Sequence, residues 1–66
     1  MLYRIFFDFK NTEDFEELKD HLYYNDYVHY SNWVTDECLE IDEDIYYEIL
    51  TILKDRNLVF RIKKFS

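Results

Sequence analysis

The stretch YVHYSNWVTDECLEID, Tyr27–Asp42, decides how this chain folds. It holds two runs of strand-forming residues on either side of Thr35-Asp36. In the first run, Val28, Tyr30 and Val34 fall on one face of a strand and Tyr27, His29 and Trp33 on the other. In the second, Glu37 to Asp42, Leu39 and Ile41 share a face. A turn at Thr35-Asp36 joins the two as a hairpin. A turn at Ser31-Asn32 is the competing choice and shifts the register.

Each arm of the hairpin is flanked by a helix and then a strand. Upstream, Leu2 to Phe9 alternates, with Tyr3, Ile5, Phe7 and Phe9 opposite Arg4, Phe6 and Asp8. Asn11 and Thr12 offer N-cap oxygens, and Glu13 and Asp14 suit the positive end of a helix dipole. Phe15, Leu18 and Leu22 then recur at helical spacing, so a helix is expected over Thr12 to Tyr24, ending near Asn25. Downstream, Asp42 or Asp44 caps a second helix whose stripe is Ile45, Ile49, Ile52 and Leu53. Asn57 stops it, and Leu58 to Phe65 reads as a last strand. The order β-α-β-β-α-β, with right-handed crossovers, predicts an α+β fold of the ferredoxin-like, split βαβ kind. Two helices then cover one face of a four-stranded antiparallel sheet.

With 66 residues, the chain is expected to form one small domain spanning residues 1–66. An aromatic content of 21% excludes a disordered tail, and one cysteine excludes a disulfide scaffold. No apolar run reaches the roughly 18 residues of a membrane span, and residues 2–9 lack a signal peptide's apolar core. The expected setting is the reducing cytoplasm. Gly, Pro and Ala are absent, so Asn and Asp must take the positive-φ positions that glycine usually fills. The same bias matches AT-rich codons and points to a low-GC bacterium or one of its viruses.

The net charge of −7 is unevenly spread. Thirteen of the 15 acids lie between Asn11 and Leu53, where Lys19 is the one basic residue. Glu13, Glu17, Asp20 and Tyr24 run along the outer face of the first helix; Asp44, Glu48, Thr51 and Asp55 along that of the second. If both helices cover the same side of the sheet, these stripes form one acidic surface. The run Asp36, Glu37, Glu40, Asp42, Glu43 and Asp44 extends it at one end. Like charges at i, i+4 oppose helix formation by about 0.2–0.5 kcal/mol per pair. Two uses fit such a surface: solvation of an aromatic-rich domain, and binding to a basic partner.

Chemical motifs are missing. His21 and His29 have no zinc spacing, and Cys38 has no Cys-x-x-Cys neighbour. The acidic run lacks the central glycine of a calcium loop, and no glycine-rich loop exists to hold phosphate. Neither an enzyme activity, a metal nor a cofactor is expected. The uncovered side of the sheet is expected to show Phe6, Tyr27, His29 and Trp33 beside Arg4, Arg61 and Lys63. That patch suits self-association into a homodimer. Base stacking on it is disfavoured by the negative net charge.

Glu13 to Asp20 and Asp36 to Glu48, in a short Tyr- and Phe-rich chain, resemble the small acidic proteins with which bacteriophages disable host factors, among them anti-CRISPR proteins and other DNA mimics. The resemblance is one of size and composition and covers most of the chain. It implies a non-enzymatic inhibitor that occupies the basic nucleic-acid-binding site of a bacterial host or defence protein, without itself contacting nucleic acid or membrane. Glu13, Glu16, Glu17, Asp20, Asp36, Glu37, Glu40, Asp42, Glu43, Asp44 and Glu48 are the expected charge-bearing residues, with Tyr24 and Tyr47 as anchors.

Overall fold

A computed structural model describes residues 1–65. The elements are β1 (Leu2–Phe7), α1 (Thr12–Tyr24), β2 (Ser31–Thr35), β3 (Cys38–Asp42), α2 (Tyr46–Asp55) and β4 (Phe60–Phe65). Short 3-10 turns over Tyr27–Tyr30 and Glu43–Ile45 precede β2 and α2. The strand order is β2-β3-β1-β4, every neighbouring pair antiparallel. Consequently β1 and β2 run parallel across β3, with α1 between them in sequence, and β3 and β4 run parallel across β1, with α2 between. This is the expected ferredoxin-like, split βαβ order. No helix among the described residues is long and apolar enough to cross a membrane.

Alternation on β1 and β3 positions both helices on one face. Ile5 and Phe7 meet Leu39 and Ile41 in a core completed by Leu18 and Leu22 of α1 and by Ile45, Ile49 and Leu53. Six of these side chains, Ile5, Leu18, Leu39, Ile41, Ile49 and Leu53, are less than 2% exposed, so a chain without alanine closes its core with branched aliphatics. Around them, Phe7 stacks on Phe9 with ring centroids 4.8 Å apart, and Phe15 meets Trp33 edge-on at 4.9 Å. These four rings tie α1 to the edge strand β2.

The helix ends use the residues expected to replace glycine. Asn11 Oδ1 accepts the Asp14 N–H at 2.9 Å and caps α1. Asp26, just past the helix, is left-handed at φ 62°. At the end of α2, Asn57 is left-handed at φ 55°. The Leu58 N–H donates to the Leu53 carbonyl, and the Asn57 N–H to the Lys54 carbonyl, each at 3.1 Å. That pair of bonds is a Schellman motif, and Leu58 packs against the core behind it.

The hairpin turns at Asp36-Glu37, one residue beyond the preferred expectation, while Ser31 and Asn32 open β2. Tight two-residue hairpin turns favour positive φ, which neither Asp36 nor Glu37 adopts. The strand absorbs the mismatch instead. Its register passes from Trp33↔Leu39 to Thr35↔Cys38, leaving Val34 as a bulge. The Thr35 hydroxyl accepts the Glu37 N–H at 3.1 Å.

One expectation is corrected. Tyr27 and Trp33 do not lie on the uncovered sheet face. Residues 27–30 form a 3-10 turn entered through left-handed Asp26, so they, His29 included, lie outside the strand and its alternation. Trp33 opposes Leu39 and points toward the helices, and Tyr27 also packs on the core. Val28, Tyr30 and Val34, expected inside, are exposed. Burying a tryptophan removes more apolar surface from water than burying a valine.

The Asn57 geometry yields a stability prediction. Asn57→Ala should lower unfolding free energy by about 1 kcal/mol, because a β-carbon without a compensating amide disfavours positive φ. Asn57→Gly should retain it. Urea midpoints read the difference, and equal losses in both variants would contradict this helix end.

Candidate functional site

The helix layer presents most of the acids. On α1, Leu18 and Leu22 face the sheet, which turns Glu13, Glu16, Glu17 and Asp20 outward, all exposed. From Glu13 to Asp20 the axial distance is about 10.5 Å at 1.5 Å per residue. Along the axis these four carboxylates are separated by about 4.5, 1.5 and 4.5 Å and form one ridge. On α2 and the turn before it, Ile49 and Leu53 face inward, and Asp44, Tyr47 and Glu48 face solvent. Tyr24 and Tyr47 are 80% and 76% exposed, so neither ring contributes to the core.

Two cations interrupt the surface. Arg56 Nη1 donates to Glu17 Oε2 at 2.7 Å and bridges the end of α2 to α1. Lys19 Nζ lies 3.4 Å from Glu16 Oε2 and 4.6 Å from the Phe15 ring centre. Exposed pairs of this kind contribute at most about 1 kcal/mol each. They still make Glu16 and Glu17 less available than Glu13, Asp20, Asp44 and Glu48, which have no ion-pair partner among the described residues.

The run from Asp36 to Asp44 does not extend this surface at one end. It spans the whole of β3, about 17 Å for five residues at roughly 3.3 Å each. Asp36 and Glu37 sit at the hairpin tip, lining a shallow depression of about 270 Å³ with Asn11, Thr12 and Phe15 at the start of α1. Glu43 lies at the other end of the strand, where its N–H donates to the Met1 carbonyl at 3.1 Å. Asp42 Oδ1 accepts the Asp44 N–H at 3.0 Å and so caps the turn into α2. Glu40 alternates onto the opposite, uncovered sheet face, where Arg4 Nε donates to its Oε2 at 3.1 Å. Cross-strand pairing of Arg4 with Glu40 requires the β1–β3 register, and the Arg56–Glu17 bridge requires the packing of the helices. Neither follows from spacing along the chain.

On the uncovered face Phe6 keeps its expected position, half-buried beside Cys38 and Arg61. Cys38 is a free thiol and is itself buried there, screened by its neighbours on a central strand. Among the described residues, no three His, Cys, Asp or Glu side chains converge as a metal site. Comparison of the chain with protein families, curated proteins and solved structures returns no match.

Trp33 is therefore a packing residue. Trp33→Ala should lower unfolding free energy by about 2–3 kcal/mol through loss of its contacts with Phe7 and Phe15. Thermal and urea unfolding read this loss. Unchanged stability with altered self-association would contradict the placement.

Proposed function

We propose that the protein is a non-enzymatic inhibitor whose acidic helix layer occupies the basic nucleic-acid-binding site of another protein, in the cytoplasm of a bacterial host. The observation that carries the reading is the unpaired outward set Glu13, Asp20, Asp44 and Glu48, flanked by the exposed rings of Tyr24 and Tyr47. Solvation alone gives no reason to expose two tyrosines beside that charge, whereas aromatic anchors within a charged rim are how protein interfaces concentrate binding energy. Glu13 and Asp20, about 10.5 Å apart along α1, span roughly three of the ~3.4 Å phosphate steps of one DNA strand. Glu16, Glu17, Asp36, Glu37 and Glu43 widen the negative field and speed encounter. Glu40 and Asp42 lie off this surface, the first on the sheet face and the second engaged as a cap, and take no part in the contact.

The partner is a basic, nucleic-acid-handling protein, and the likeness to phage-encoded DNA mimics is one of size and composition. Tagged protein should retain such a partner from a low-GC bacterial lysate, with competing DNA displacing it. The quadruple variant Glu13→Lys, Asp20→Lys, Asp44→Lys, Glu48→Lys should reduce retention at least tenfold while leaving the circular dichroism spectrum unchanged. Tyr24→Ala with Tyr47→Ala should weaken binding mainly through faster dissociation. Retention indifferent to the four reversals and to DNA would overturn the proposal.

A further inference from the structure

The uncovered face of the sheet carries a charge pattern that the helix layer does not use. Strand registers place Asn32, Glu40, Arg4 and Lys63 in one row across β2, β3, β1 and β4. The adjoining rows set Cys38 beside Phe6 and Arg61, and Asp42 beside Leu2 and Phe65. One half of the face, β2–β3, is therefore neutral to acidic, and the other half, β1–β4, is basic. Apolar surface is interspersed with these charges: Leu2 on β1, Phe65 on the β4 edge and Val34 at the β2 bulge are exposed, with Phe6 half-buried on β1. Arg4 is laid flat on it, its guanidinium carbon 4.8 Å from the Phe65 ring centre while its Nε bonds Glu40.

We infer that this face binds a second copy of the chain, face to face, about a two-fold axis parallel to the strands. The charge pattern selects that axis. Rotation about it lays β4 over the partner's β2 and β1 over its β3, so Arg4 faces Glu40 of the partner subunit, and Arg61 and Lys63 lie over a strand without charge. An axis in the sheet plane but perpendicular to the strands would stack β4 on β4 and bring its Arg61 and Lys63 over the cations of the same strand in the other copy. Like charges placed opposite each other disfavour that mode.

The size of the face sets the strength. Four strands about 4.8 Å apart and six residues at about 3.3 Å each span about 19 by 20 Å. Two such faces bury on the order of 1,000 Å² in total, near the lower limit for specific association. The dimer is accordingly weak, with half-association in the micromolar to submillimolar range. The net charge of −7 does not prevent it. With layers about 10 Å apart, the two acidic helix layers lie on the far sides, about 30 Å from each other and several Debye lengths at physiological salt. Both acidic ridges then point outward. The inference does not rest on the proposed inhibitor role, because its residues occupy the opposite layer.

Sedimentation equilibrium between about 10 µM and 1 mM tests it, with circular dichroism to verify folding. In the inferred geometry Asn32, which is exposed, faces Lys63 of the partner subunit. Asn32→Glu should tighten the dimer by about threefold to tenfold, and Asn32→Lys should weaken it by a similar factor. Lys63→Glu should weaken it too, and Lys63→Glu combined with Asn32→Lys should restore it. A monomer at 1 mM would overturn the inference. So would equal effects of Glu and Lys at position 32, which belong to the other axis. Binding of a single-stranded oligonucleotide to this face with the protein still monomeric would assign it to a different occupant and likewise overturn the inference.

Discussion

Strand β1 is hydrogen-bonded along both edges, to β3 on one side and β4 on the other, and the position of each layer follows from that. Pairing extends to its last residue and one beyond: the Phe7 N–H donates to the Glu37 carbonyl at 2.8 Å and the Asp8 N–H to the Val59 carbonyl at 3.0 Å. Alternation along β1 then divides the molecule. Ile5 and Phe7 seed the helix-covered core, while Arg4 and Phe6 form the middle of the uncovered face. A slip of one residue would exchange these sets and bury an arginine, so hydrophobic burial pins the register. With β1 fixed between β3 and β4, the loops carry both helices to the same side.

The absence of glycine constrains the connections more than the core. Two left-handed positions fall on Asp26 and Asn57, residues whose short polar side chains tolerate positive φ. At the hairpin the chain takes a turn without positive φ and places the misfit in β2, as a bulge at Val34. That bulge also disrupts the regular edge of a short, uncharged strand, which discourages further strand pairing there. The opposite edge is guarded differently, by Arg61, Lys63 and Lys64 on β4.

Element order, both helices, the N-cap of α1 and the stop at Asn57 were legible in the sequence, because apolar spacing and capping residues act locally; Asp42 instead caps the 3-10 turn, and α2 begins at Ile45 without a side-chain cap. Asn11 and Asn57 do what their positions suggest. The face of β2 was not legible. Alternation through Tyr27–Thr35 looks continuous, and the break at Asp26 is a backbone conformation that no side-chain pattern announces. Assigning Tyr27 and Trp33 to the uncovered face followed from that. The outward acids of α1 and α2 were legible for the same reason as the helices. The separation of Asp36 and Glu37 from Glu43 and Asp44 was not, since a cluster in sequence is pulled apart by the extended strand between its ends. What remains is a two-sided molecule, with a mainly acidic helix layer and a sheet face of mixed charge.

The measurement that tests the proposed helix-layer interface most directly is amide chemical-shift mapping of isotope-labelled protein titrated with the basic partner recovered from lysate. The account predicts perturbations at Glu13, Asp20, Tyr24, Asp44, Tyr47 and Glu48, reversed by added DNA, with Arg4, Phe6 and Arg61 unaffected. Perturbations confined to β1 and β4, or ones that DNA does not reverse, would contradict it.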